Sequence, residues 1–253
     1  MTQQQQDNHK NRKLIAALAL IIAAVAITTG VIFAFFSDVI TGSGSATSGT
    51  LDLRGSFKYQ VNGQPSGGTA ITTSIANLNP GDAVYIYGDI TNVGNKSAWL
   101  RAAFSGATID AALKPYIYAY SGNVTQASLL AAENAAAAST AKDTALCAIS
   151  GYVAGGNGGT GCAAFASTGT TGVGTVQTIQ GTGTGAETDG TAGPITVGFT
   201  LYFAGYAPNA AQGKTLAISA RAEGLQYRNN PSVTLTDTRW STAESTVGIN
   251  DTN

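Results

Sequence analysis

The feature that most constrains this chain is a change of character that happens twice before residue 54. Residues 14–36, LIAALALIIAAVAITTGVIFAFF, carry no charge. Residues 37–49, SDVITGSGSATSG, are polar and flexible, with Val39 and Ile40 the only large apolar residues. From Thr50 the sequence TLDLRGSFKYQV alternates apolar and polar with almost no error. A membrane-addressed segment feeding a thin tether, and the tether feeding a sheet, is the layout of an exported surface protein.

The polar start MTQQQQDNHKNRK ends in basic residues and suits the flank of an export signal that stays on the cytoplasmic side. The apolar run then has two readings. As a signal peptide, Leu14 to Ile27 form the hydrophobic region and signal peptidase cleaves after Ala34, so that the mature chain begins at Phe35. As a permanent anchor, the run is long enough to cross roughly 30 Å of hydrocarbon. Cleavage is favoured, although Ile32 is bulkier than the small residue that signal peptidase prefers. A pilin-type helix kept as a filament core lacks the small residue expected after the basic ones, because Lys13 runs straight into Leu14. The organisation expected is therefore 1–34 export segment, 35–49 tether, 50–240 sheet domain and 241–253 polar tail.

Charge is scarce. Only 11% of residues are Asp, Glu, Lys or Arg, against roughly 25% in an average soluble domain. A net charge of −1 leaves no basic field to hold nucleic acid. Ser, Thr, Asn, Gly and Ala must cover the surface, as in an extracellular polymer. The two cysteines, Cys147 and Cys162, flank the Gly-rich stretch GYVAGGNGGTG, and an even count in an exported chain favours a disulfide between them.

Period-two patterning supplies the strands. Leu51, Leu53, Phe57, Tyr59 and Val61 share one face, and NGQPSGG turns the chain into a second strand, ITTSIANL. Asn79-Pro80-Gly81-Asp82 is a tight turn in which Pro presets φ and Gly accepts a positive φ. AVYIYGDITNVG follows with Val84, Ile86 and Ile90 on one face, then SAWLRAAFSG with Leu100 and Phe104 inward, then PYIYAYSG. Residues 125–146, rich in Ala and free of Gly and Pro, favour one helix. Residues 150–193 read as a Gly/Thr-rich surface insertion with short edge strands, Phe165 and Ile179 being its large apolar exceptions. Ile195, Val197, Phe199, Leu201 and Phe203 alternate without a fault. KTLAISARAEGLQY turns Leu216, Ile218, Ala220 and Ala222 inward, and SVTLTDTRW offers a last strand. Seven or eight strands with one inserted helix make a mainly β, two-sheet antiparallel sandwich.

FFSD after the apolar segment, SGTLDL, IANLNPGD followed by ITNVGNKSAWLR, and AEGLQYRNN resemble, in order and spacing, the TasA/camelysin family of biofilm-fibre subunits. The likeness covers roughly residues 35–105 and 214–230, and archaeal bundling pilins look like relatives of the same fold. It implies a jelly-roll sandwich whose mature N-terminal segment completes the sheet of the next subunit by donor-strand exchange. Phe35, Phe36, Val39 and Ile40 would be the inserted side chains, and they fit independently, being apolar residues on a polar tether. The expected partners are further copies of the chain, head-to-tail, and neighbouring filaments in bundles. The alternative is a monomeric, membrane-anchored surface protein or adhesin.

Catalytic chemistry finds no residues. His9, the one histidine, precedes the apolar run, so no His-Glu-x-x-His metal motif exists. Glu187 and Asp189 look like lone loop carboxylates with a slim claim on calcium. Neither a nucleophile elbow nor a phosphate loop occurs, and no cofactor, metal or enzymatic activity is expected. Tyr116, Tyr118 and Tyr120 alternate on one face, either stacking between fibres or lining a half-exposed strand. Asn95, Asn123 and Asn250 head Asn-x-Ser/Thr triplets, the acceptor pattern for N-glycosylation.

Overall fold

Turn chemistry decides where the strands begin. In the computed structural model, which describes residues 49–70, 78–165, 170–214, 216–228, 230–243 and 245–248, Asn62 and Gly63 take φ of 54° and 78°. That geometry belongs to a two-residue hairpin whose twist suits its flanking strands. It joins β1 (Leu53–Val61) to β2 (Gln64–Ala70), so the turn is shorter than expected and Gln64 onward is already strand. Residues 71–77 of the expected second strand lie outside the described residues. The Asn79–Asp82 turn forms as read, with the Asp82 amide donating to the Asn79 carbonyl at 3.0 Å and Gly81 at φ 94°.

The chain continues through β3 (Ala83–Asn92), β4 (Ala98–Ile109), β5 (Ile117–Ser121), α1 (Gln126–Asn134), α2 (Ser139–Cys147), β6 (Tyr152–Gly155), β7 (Thr170–Ile179), β8 (Ile195–Phe203), β9 (Leu216–Gln226) and β10 (Ser245–Gly248). These make two antiparallel sheets, a six-stranded β2-β1-β3-β8-β5-β6 and a four-stranded β10-β9-β4-β7. Between them lies the core expected from the alternation. Leu53, Phe57, Val84, Ile86, Ile90, Leu100 and Phe104 meet all five apolar residues of β8 there. Burying a side chain of this size stabilises by about 1.5–3 kcal/mol, and the small Ala102, Ala220 and Ala222 let the sheets approach.

The expected single helix is two. A straight helix would hold Glu133 and Asp143 about 15 Å apart. Their partners, Tyr202 and Tyr118, are direct cross-strand neighbours on β8 and β5, a spacing of about 5 Å. Breaking the helix at residues 135–138 folds α2 back and brings both carboxylates to that pair. The two helices cover the outer face of the six-stranded sheet, burying Tyr118, Tyr120 and Tyr202 completely with Leu129 and Leu146. Tyr118 and Tyr120 are therefore neither fibre contacts nor half-exposed.

Residues 150–193 do more than decorate the surface. β6 is the short edge strand expected, but β7 is a full member of the four-stranded sheet. It sends Val173 and Ile179 into the main core, where Phe165 joins them. SVTLTDTRW is not a strand. Its Val233 and Trp240 pack with Leu225 on the outer face of the four-stranded sheet, and the last strand, β10, lies beyond it, within the stretch read as a tail. Ten strands form in all among the described residues. The N-terminal apolar helix, the Ala34–Phe35 cleavage point, the proposed donor residues Phe35, Phe36, Val39 and Ile40, and Asn250 lie outside the described residues. No helix among the described residues is long and apolar enough to cross a membrane.

Candidate functional site

The segments singled out in the sequence meet at one end of the sandwich, where the described chain begins. The carbonyl of Thr50 accepts the amides of Asn95 (2.9 Å) and Lys96 (3.1 Å), and the Thr50 amide donates to Asn95 Oδ1 at 2.8 Å. The Val93 amide donates to the Asp52 carbonyl at 2.8 Å. Beneath them the fully buried Asn92 donates from Nδ2 to the Lys96 carbonyl at 2.6 Å and accepts the Gly94 amide at 3.1 Å. A Cβ on Gly94 would stand 2.2 Å from the Thr50 carbonyl oxygen, so only glycine lets the loop close on the incoming chain.

Glu187 locks this clamp from the side. It accepts Lys96 Nζ at 3.0 Å and the Ser97 amide at 3.1 Å, and pairs with Arg228 at 3.4 Å. Arg228 also reaches Asp189 at 3.4 Å. Both carboxylates read as lone loop residues are thus matched by cations, which argues against a calcium site. The late AEGLQYRNN segment closes the other side, with the Tyr227 amide donating to the Ser97 carbonyl and Trp99 Nε1 to the Asn230 carbonyl at 2.6 Å.

A second feature is a groove of about 420 Å³ at the flank of the sandwich. β8 outruns β5, which pairs only with its Phe199–Phe203 half; beyond that half the Gly198 carbonyl accepts the Gly122 amide at 3.1 Å and the Thr196 carbonyl accepts Gln177 Nε2 at 3.4 Å. Facing it is β7, whose strand partner is β4 alone. Between Thr170 and Gln177 its outer edge makes no backbone hydrogen bond among the described residues. Val173, Gly174, Thr175, Val197 and Gly198 line the gap. The groove therefore has one open strand edge, that of β7, with small and apolar residues beside it.

The remaining polar clusters are structural. On the outer face of the four-stranded sheet, Glu223 takes Arg101 Nε (2.8 Å) and Nη2 (2.7 Å) on one oxygen and Arg221 Nη2 (2.5 Å) on the other. The Arg101 guanidinium also lies 4.5 Å over the Trp240 ring. Burial lowers the Arg101 pKa, with Glu223 opposing the shift.

Under the helices, the hydroxyl of Tyr118 donates to Asp143 (2.6 Å), that of Tyr202 to Glu133 (2.8 Å), and that of Tyr120 to the Leu146 carbonyl (3.1 Å). Burial, with the neighbouring carboxylates of Asp143 and Glu133 adding to it, pushes all three phenols far above their ordinary range. It also raises Tyr206 to about 12. Cys147 and Cys162 are bonded, as expected, across a separation of 15 residues. Asp143 lies beside that bond, but its oxygens already accept Tyr118 and the amides of Asn157 and Gly159. With both sulfurs bonded to each other, this cluster holds a loop and not a metal.

Of the buried carboxylates among the described residues, Glu187 was singled out in the sequence, and Glu133, Asp143 and Glu223 were not. The available signal was rarity, since Glu133, Asp143 and Glu223 interrupt apolar or Ala-rich stretches of a chain with few charges. Comparison with protein-family models and with curated proteins finds no match for this chain.

Proposed function

We propose that the protein is a non-enzymatic, secreted subunit of an extracellular filament, a biofilm-matrix fibre or bundling pilus. Its mature N-terminal segment would join subunits head-to-tail by donor-strand exchange. The observation that carries this reading is the groove beside the open outer edge of β7. An incoming strand would pair with the outer edge of β7 and bury Val39 and Ile40 in the groove beside Val173 and Val197. Because tether and groove are different surfaces, the contact is heterologous and propagates.

Two further observations support it. Among the described residues Val93 is the one large hydrophobic side chain that is exposed, so face-to-face association has little apolar surface to use. The strand order also favours a jelly roll, because β3, β5 and β8 alternate along the chain with β4, β7 and β9 of the facing sheet.

The test is to introduce Val39→Cys and Thr175→Cys in one chain and examine assembled protein on a non-reducing gel. A ladder of covalent oligomers is expected. Filaments that form without any ladder would remove the groove from the joint. Normal filaments from a Val39→Asp/Ile40→Asp variant would remove the exchange itself, since burying two unpaired carboxylates costs more than the lost apolar contact returns.

A further inference from the structure

Three triplets carry the N-glycosylation acceptor pattern, and the fold treats them differently. Asn95 is built into the clamp. Its Oδ1 accepts the Thr50 amide, and its triplet partner Ser97 is fully buried, with Oγ donating to the Glu187 carbonyl at 3.1 Å. A transferase that reads both residues of the triplet would have to open the end of the sandwich. Asn250 lies outside the described residues. Asn123, between β5 and α1, is exposed, and no described residue holds its side-chain amide. Thr125, two residues on, is exposed as well. Its hydroxyl caps α1, accepting the Ser128 amide at 3.3 Å and sharing a 2.9 Å hydrogen bond with Ser128 Oγ. Both bonds are exposed and local to the first turn of α1, so a transferase can take up this hydroxyl without opening the sandwich.

We infer that Asn123 is a glycosylation site of the folded, exported domain. The donor is an oligosaccharide carried on a polyprenyl phosphate or diphosphate. Nδ2 of Asn123 forms the bond to the anomeric carbon, the carbon–oxygen bond to the lipid phosphate breaks, and the amide proton passes to a base of the transferase. The glycan emerges next to Gly122, on the rim of the β7–β8 groove, and adds a hydrated, uncharged cover to a surface short of charge. This inference shares with the filament reading only the requirement for export.

The helix cap supplies the control. Thr125→Ser keeps both the cap and the acceptor pattern, Thr125→Asp keeps the cap but destroys the pattern, and Asn123→Gln removes the acceptor. Each protein is purified from its native source, and peptides spanning residues 123 and 95 are weighed by mass spectrometry. Wild type and Thr125→Ser should carry sugar on the residue 123 peptide, while Thr125→Asp and Asn123→Gln should be bare there with unchanged helix content. The residue 95 peptide should be bare throughout. A bare residue 123 peptide in the wild type overturns the inference, and so does sugar that persists on that peptide in Asn123→Gln. Filaments built from bare subunits would refute the modification and leave the assembly reading standing.

Discussion

Raising the pH should unfasten the helical cap before ordinary surface chemistry disturbs the sandwich. Tyr118, Tyr120 and Tyr202 are fully buried, and each hydroxyl donates to a carboxylate or a carbonyl. Ionising one in place would set a phenolate against another oxygen with no water to screen it, which is why their pKa values are raised. In the unfolded chain the same phenols titrate near 10. A pKa raised by folding means that the native state holds its proton more tightly. The stability this confers is intact below about pH 10 and falls as pH climbs above it.

At pH 11 each such tyrosine shifts the balance toward unfolding by about 1.4 kcal/mol, and the three together by about 4 kcal/mol. That is a large part of the 5–15 kcal/mol typical of a domain. The assay is absorbance near 295 nm alongside far-ultraviolet circular dichroism during an alkaline titration. Of the 10 tyrosines, about three should ionise only in a late cooperative step that coincides with loss of helix. Tyr118→Phe should shrink that step and leave Asp143 with its two amide donors. Smooth titration of every tyrosine around pH 10, with the helical signal retained, would refute the argument.

Three further outcomes follow from named contacts. Glu223→Ala removes the carboxylate partner of the buried Arg101 guanidinium and should cost about 3–5 kcal/mol in chemical denaturation; a loss under 1 kcal/mol would show that the pair is solvated. Replacing Cys147 and Cys162 together by Ser should cost about 3 kcal/mol for a loop of this length, with hydrogen exchange rising first in α2 and residues 148–162 while filaments still form. Gly94→Ala forces a methyl against the Thr50 carbonyl and should cost about 1–3 kcal/mol, with faster exchange at the Val93 and Asn95 amides; unchanged protection there would mean that the loop yields without strain.

Alternation along β3, β4 and β8 was legible because each of those strands turns one face to a dry interior and the period is strict. β7 was not, because Val173 and Ile179 are spaced among glycines and threonines that carry no pattern, and what recruits them is the open flank of β4. The broken helix was hidden for a related reason. Alanine favours continuity, and the demand for two carboxylates at one tyrosine pair comes from β5 and β8, far away in sequence. SVTLTDTRW shows the converse error, a good strand pattern that the chain spends on covering Leu225. At the clamp, the motif residues were visible one by one, but that they hold one another follows only from the register of β1 against β3.

The clamp also sets how a fibre of such subunits would bear load. Tension arriving along the tether enters the domain through one backbone at Gly49 and Thr50. There it meets the loop amides of Asn95 and Lys96 before it reaches β1. Behind them β1 lies alongside β3 from the Leu53–Asn92 pair to the Val61–Val84 pair. A pull directed along β1 strains those bonds in shear, all at once, where a peel would break them singly. Resistance to forced opening is a matter of unfolding rate, not of equilibrium stability. Substitutions that soften the loop at Gly94 should therefore shorten the lifetime of a stretched fibre far more than they lower its melting temperature.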